Sequence, residues 1–191
     1  LNNTVDVTVT PYWIDNKNEI FYDANTWTNS NYDQTRRRGV EAGGQVDILK
    51  FFDVDWRPVT DLGAFLNYTY QRPEFVSGAY DGKDIPMAPR HQFSMGINIG
   101  FWEKYRLALI GRYVGERYII NDLDNAMPRA KGYWVGDMKL SYENGSLETF
   151  FEVNNLFDKA YSTYDIKKTA TTRDVYPGAE RNVMMGVRYR F

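Results

Sequence analysis

The chain has 191 residues, a net charge of −2, 43% hydrophobic and 25% charged residues, and no cysteine. That length suits one domain, and near-neutral charge with no Lys/Arg stripe beyond Arg36-Arg37-Arg38 argues against nucleic acid as a partner. Mean hydropathy is −0.56, and the longest aliphatic run, Leu107-Ala108-Leu109-Ile110, falls far short of the roughly 20 residues a transmembrane helix needs. A membrane β-barrel escapes that exclusion, because only alternate residues of its strands face lipid. Aromatic residues make up 16% of the chain, and 15 of them are Tyr, whose apolar body and polar tip suit a water–lipid boundary.

Along the chain, Val5, Val7 and Val9 begin a first strand whose phase blurs near Pro11, where a bulge or a strand edge is expected. A long link over 20–37 follows. Val40, Ala42, Gly44, Val46 and Ile48 then alternate with Glu41, Gly43, Gln45 and Asp47, which predicts a second strand. The third runs from Leu62 to Gln71, and its apolar phase holds Leu62, Ala64, Leu66, Tyr68 and Tyr70. The fourth has the clearest period of two, with Phe93, Met95, Ile97, Ile99 and Phe101 opposite Gln92, Ser94, Gly96, Asn98 and Gly100. Tyr105 to Tyr113, Trp134 to Tyr142, Leu147 to Phe157 and Val183 to Phe191 complete eight strands.

The second faces of these strands carry Gly, Ser, Asn, Gln and Arg rather than the Lys and Glu of a soluble sandwich. Small hydrogen-bonding residues suit a wet barrel lumen, and aromatics at strand ends suit interfacial girdles. Short links are expected at 56–61, 102–104 and 143–146, the last with the turn dipeptide Asn144-Gly145. Long ones lie at 20–37, 72–90, 116–131 and 158–180. Long and short alternate, as periplasmic turns and extracellular loops do in outer-membrane barrels, and an even strand count puts Leu1 on the short-turn side.

Two stretches resemble the carboxy-terminal signature of TonB-dependent outer-membrane receptors: Asn154-Asn155-Leu156-Phe157-Asp158-Lys159-Ala160-Tyr161, and Pro177-Gly178-Ala179-Glu180-Arg181 leading into a final strand that ends Val187-Arg188-Tyr189-Arg190-Phe191. Arg38-Gly39-Val40-Glu41 and Asn67-Tyr68-Thr69-Tyr70, followed by Pro86-x-x-Pro89-Arg90-His91, are similar to the family's middle strands. The resemblance implies an all-β antiparallel transmembrane β-barrel in which residues 1–191 form the last eight strands of a 22-stranded whole. A plug domain, absent from this chain, would fill that barrel, and TonB would drive uptake of a scarce ligand, typically a ferric siderophore or similar metal chelate. The partners implied are outer-membrane lipid, the remaining strands and plug, the TonB complex, the barrel assembly machinery and the chelate, at the outer membrane of a Gram-negative bacterium. No signal peptide opens the sequence, as expected if it is removed in maturation or if the sequence begins partway along a larger chain. The alternatives are a self-contained eight-stranded barrel acting as anchor or adhesin, and a soluble β-sandwich.

The resemblance also directs the choice of site residues. Arg36 and Arg112 are candidate contacts for an anionic chelate, and Trp27, Tyr80, Tyr118 and Tyr176 lie in the long links, where they could stack on it. Val187, Tyr189 and Phe191 resemble the signal read by the assembly machinery. The bland reading sets the arginines in ion pairs with lumenal carboxylates and the aromatics in loop packing. His91 is the only His and reads as structural, since a metal site needs several convergent ligands. Asp81, Asp84, Asp122, Asp124 and Asp174 read as solvated loop charges. Without a nucleophile–base–acid set, a phosphate loop or a dinucleotide motif, neither an enzyme nor a cofactor is expected.

Overall fold

The computed structural model describes residues 4–23 and 26–191; Leu1, Asn2, Asn3, Ala24 and Asn25 lie outside the described residues. Eight strands, β1 (Val5–Asp23), β2 (Thr28–Asp47), β3 (Val59–Phe75), β4 (His91–Phe101), β5 (Tyr105–Val114), β6 (Tyr133–Asn144), β7 (Leu147–Asn154) and β10 (Asn182–Tyr189), form one antiparallel sheet in that order. A hairpin of β8 (Ser162–Lys167) and β9 (Arg173–Pro177) stands apart from it. The expected strands are all present. The sheet does not close on itself: β1 and β10 are its edges.

Cross-strand register shows how the period of two becomes two chemically distinct surfaces. Directly paired residues of an antiparallel sheet point to the same side, so Val5, Val46, Ala64, Ile97, Leu109, Met138, Val153 and Val183 form one row across all eight strands. Leu62, Ile99, Leu107, Leu140, Phe151 and Met185 form another on the same side, nearer the turn end. Among the described residues little protein covers this face beyond the buried Val153 and the Phe157 ring over Gly136. Leu66 is 50% exposed, Ile97 43% and Met185 74%. An apolar surface of this extent is stable only in an apolar surround.

Aromatic rows bound that band. Tyr68, Phe93, Tyr113 and Trp134 align at the loop end, and Phe101, Tyr105 and Tyr142 at the turn end. From Phe93 to Phe101 along β4, eight steps of about 3.3 Å give about 26 Å, or about 20 Å of height at a barrel-like tilt of about 40°. That height is of the order of the apolar band, about 25 Å, that a membrane barrel presents between its girdles. The opposite face carries Thr8, Gly43, Asn67, Ser94 and Arg112 in one row, a polar surface of small and hydrogen-bonding residues.

Buried apolar residues are found elsewhere. Phe75, Ile85, Ile119, Met127, Ala130 and Ile166 lie in or beside the loops, and Val135 and Val153 lie at the loop ends of β6 and β7. The protein core of the described residues is therefore in the cap of loops, while the sheet relies on its surroundings.

Several sequence expectations change at the ends of elements. The link expected over 20–37 is mostly strand, because β1 and β2 stay paired out to Asp23 and Thr28. Beyond the apolar band both faces of a hairpin meet water, so no hydrophobic alternation is needed there and none marks the extension. The turn expected at 56–61 occupies 48–58, because α1 (Ile48–Phe52) follows β2 directly. Asp47 starts α1 by accepting from Lys50 N at 3.1 Å, and Asp53 ends it in the left-handed region at φ 52°. No bulge occurs at Pro11, which pairs with Val40 in unbroken register; it sits on an edge strand, where its missing N–H is tolerated. The link over 158–180 contains the β8–β9 hairpin, too short and too polar to show a period.

Gly39 has a specific steric reason. A Cβ there would strike the carbonyl of Tyr70 on β3 and the Tyr12 ring on β1, so a side chain would push two strands apart. The face assignment is tested by Ile97→Arg, which should cost about 2–4 kcal/mol in urea unfolding of the protein in lipid vesicles. Asn98→Arg, one residue away on the lumenal face, should cost far less. Equal costs would contradict the assignment.

Candidate functional site

The loop end is one interlocked cap. Loops 76–90 and 115–132 join where Asn125 Oδ1 accepts from Asp84 N at 2.7 Å and Asn125 Nδ2 donates back to Asp84 O at 3.0 Å. Met87 N also donates to Tyr118 O at 2.8 Å. Loop 115–132 and the β8–β9 hairpin join by backbone bonds, Ile120 N to Asp165 O and Lys167 N to Ile120 O, each 2.9 Å. Arg117, nearly fully buried, adds Nη2 bonds to Ser162 O at 2.8 Å and Thr163 O at 3.2 Å. Asn121 Nδ2 reaches Asp23 Oδ1 at the tip of β1 at 2.9 Å.

Asp122 is the centre of the cap. It is fully buried, accepts from Ala126 N at 3.1 Å and Met127 N at 3.2 Å, and receives the Lys167 ammonium at 3.0 Å. The expectation of a solvated loop charge is corrected here: a buried carboxylate is stable because two amides and a cation replace its hydration. Asp124 is exposed but shares the same ammonium at 2.7 Å. The hydrogen bond from Lys167 holds the Asp124 carboxyl below its ordinary 3.8, and Asp124 with Asp122 raises Lys167 above its ordinary 10.5.

A second knot returns the chain from the cap to β10. Asn155 is buried in the left-handed region at φ 53°. Its Oδ1 accepts from Lys159 N at 2.8 Å, and its Nδ2 donates to Lys159 O and Ala179 O, each at 3.0 Å. Asp158 Oδ1 accepts from Arg181 N at 2.9 Å. Tyr161 stacks against Tyr133 at 4.5 Å and lies over Gly178, where any Cβ would collide with its ring. The two sequence signatures are thus one structural unit that closes a long loop.

Below the cap, the lumenal wall is concave. One hollow of about 610 Å³ is lined by Thr8, Thr10, Glu41, Gly43, Asn67 and Thr69. Another of about 650 Å³ is lined by Asp61, Asn98, Arg106, Lys139 and Ser141 among others. Here Arg112 pairs with Asp137, and Arg188 pairs with Glu148 at 3.1 Å.

The six predicted ligand contacts are scattered. Arg112 is on the lumenal wall with its side chain 59% exposed beside Asp137. Tyr118 lies in the cap under Arg129, whose guanidinium is 4.7 Å from the ring centroid. Tyr80 packs on Phe75 at 5.8 Å, and Tyr176 meets Tyr164 edge-on at 5.3 Å. Trp27 is 79% exposed in the tip between β1 and β2. Arg36 is on the apolar side of the sheet, above the aromatic row, bound to Asp15 at 2.7 Å; its neighbour Arg37 faces the lumen and holds Glu19 at 2.6 and 2.9 Å. No contact joins the six to one another among the described residues. His91 Nδ1 lies 2.8 Å from Tyr68 Oη within the aromatic belt. At the end of β10, Tyr189 meets Phe191, two residues on, edge-on at 5.2 Å.

Residues 1–156 match the family described as TonB dependent receptor-like, beta-barrel. The chain belongs to that family. It is 26% identical over 166 residues to the catecholate siderophore receptor Fiu of Escherichia coli K12, a match covering 84% of this chain and 20% of that protein. The chain thus spans about a fifth of the length of the curated relatives it matches. The closed form of the ferric-catecholate import receptor Fiu from K12 E. coli superposes over 100% of this chain and 26% of its own, with TM-score 0.72 and 25% identity. The ferric yersiniabactin uptake receptor FyuA from Yersinia pestis shares the fold, with TM-score 0.76 over 99% of this chain and 28% of its own, at 22% identity. TonB-dependent receptors of this kind are outer-membrane proteins.

Two outcomes follow for the cap. Asn155→Ala removes three hydrogen bonds and places a Cβ-bearing residue without a compensating side chain at positive φ, so unfolding should become easier by about 2–3 kcal/mol. Asn155→Gly, which keeps the backbone freedom, should recover only the smaller conformational part. The Lys167 clasp has a defined pH window. Its Asp124 share is fully present above 3.8 and fades as pH falls through the lowered folded value; its Lys167 share is fully present below 10.5 and fades as pH rises through the raised one. Nitroxides at Leu123 and Lys168 should give a narrow distance distribution at neutral pH that broadens at both extremes, and Lys167→Met should broaden it at neutral pH.

Proposed function

We propose that this chain forms the carboxy-terminal arc of a 22-stranded barrel in a Gram-negative outer-membrane receptor that takes up a ferric chelate with energy from TonB. The observation that carries the reading is the sheet's reversed faces, apolar outward and polar inward, beneath a cross-tied loop cap. Catecholate siderophores are the first ligand class to test, given the similarity to Fiu. An iron–catecholate complex is anionic and aromatic, and Arg112 on the wall with Tyr118 and Arg129 in the cap offers it cationic and aromatic partners. Trp27, Tyr80 and Tyr176 extend the aromatic surface around the loops. The chain acts as a transport wall and not as an enzyme.

The same reading supplies partners for the edges of the sheet. Further strands of the receptor pair with β1 and β10, since lipid cannot satisfy their backbone groups. A plug domain occupies the lumen and carries the contact with TonB. The assembly machinery reads the outward face of the last strand, Val187, Tyr189 and Phe191.

A strain lacking the receptor's gene should lose growth on ferric catecholate as sole iron source and regain it with the intact gene. The Arg112→Gln, Tyr118→Leu double variant should lower uptake affinity about tenfold, the equivalent of about 1.4 kcal/mol, at unchanged receptor level. Undiminished growth of the deletion strain on every ferric chelate offered would overturn the proposal.

A further inference from the structure

We infer that the outward face of β1–β3 above the aromatic row, built from Trp13, Arg36, Arg38 and Arg72, binds the phosphate groups of a phosphorylated glycolipid headgroup in the outer leaflet. The inference rests on the outer-membrane orientation proposed above.

Register fixes the direction of these side chains. Trp13 pairs with Arg38 and Arg38 with Arg72; Asp15 pairs with Arg36 and Arg36 with Glu74. On β2 these positions are in phase with Ala42 and Val46, which belong to the apolar face, and Ala42 pairs with Tyr68 of the aromatic row. From Ala42 to Arg38 is four steps, about 13 Å along the strand and about 10 Å in height at a tilt of about 40°. That is headgroup depth. A chelate in the lumen meets the other side of the sheet, where Arg37 points.

The arrangement has unspent capacity for phosphate. Three guanidiniums face two carboxylates: Arg36 Nε holds Asp15 at 2.7 Å, while Arg38 Nη2 and Arg72 Nε share Glu74 at 3.3 and 2.9 Å. Each guanidinium has five N–H donors in a planar fork that matches phosphate, and the side chains of Arg36, Arg38 and Arg72 remain 31%, 37% and 50% exposed. Trp13 gathers two of them, with Arg36 and Arg38 lying 4.8 and 5.6 Å from its ring centroid. Trp13 is itself fixed by Nε1 donating to Asp15 at 2.8 Å and remains 58% exposed, leaving a flat apolar surface beside the cations on which a sugar ring can rest. A ladder of ion pairs serving stability alone would match its charges; this one carries an excess positive charge at the level where lipid phosphates lie.

The test uses the intact receptor in nanodiscs of zwitterionic phospholipid doped with an acylated diglucosamine bisphosphate, alone or with inorganic phosphate added as a competitor, or with its dephosphorylated form. Native mass spectrometry reads the bound glycolipid. The wild type should retain the bisphosphate form, and Arg36→Gln, Arg38→Gln, Arg72→Gln together should reduce retention about tenfold or more, the loss of several charge-assisted contacts. Arg72→Gln alone should give a smaller loss and covers the case in which the triple variant fails to fold. Lys104→Gln, at the turn end, should change nothing. Equal retention by wild type and folded triple variant, equal binding of the dephosphorylated form, or full displacement by inorganic phosphate would each overturn the inference. Uptake of ferric chelate by the triple variant is read separately: retained uptake with lost glycolipid supports this site, and retained glycolipid without uptake would count against the transport reading alone.

Discussion

An antiparallel sheet whose one side meets hydrocarbon and whose other side meets water has little freedom in its register. The side-chain period is two, so a slip of one residue would move Ile97, Leu109 and Met138 into the lumen and Ser94, Asn98 and Arg112 into lipid. Each strand is held to its neighbour by that cost, and the apolar row runs unbroken through all eight strands. The aromatic rows follow from the same constraint, because they end the band on both sides. The glycines of the lumenal face belong to it too: Gly96 and Gly186 lie beneath the rings of Phe65 and Phe150 of the paired strands, which cover backbone that has no side chain of its own.

What the sheet lacks in protein contacts the cap supplies. Outside the membrane, water competes for every backbone group, and the loops hold their shape by buried polar bonds centred on Asp122, Asn125, Arg117 and Asn155. Such a cap is a set of linked segments rather than independent loops. A ligand that touches Tyr118 in one loop is mechanically close to β8 through Ile120 and Asp165, so its binding would be felt across the whole mouth.

Strand existence and facing were legible in the sequence because membrane strands make their period of two nearly obligatory from Gln92 to Tyr113. Strand ends were not, since β1 and β2 continue past the band as a water-exposed hairpin that no periodicity marks. The role of Asp122 was hidden because its partner, Lys167, lies 45 residues away, and a spacing of that kind has no local signature. Asn155 sat in a recognised motif, but the motif gave its presence and not its function as a three-bond knot. Arg36 illustrates a further limit: three consecutive arginines point alternately, and because 20–37 reads as a link in the sequence, the phase that sets Arg36 with Val40 and Ala42, and Arg37 on the other face, was not carried back to them.

The central claim is that this sheet wears its apolar face outward against lipid and its polar face inward against water. These 191 residues hold no cysteine, so single nitroxide labels at positions 94, 95, 97 and 98 of the intact receptor in lipid, with any cysteine outside them replaced, test it directly. Labels at Met95 and Ile97 should collide with dissolved oxygen and be shielded from a water-soluble nickel chelate, and those at Ser94 and Asn98 should show the opposite. Accessibility that fails to alternate, or alternates with the inverse phase, would contradict the account.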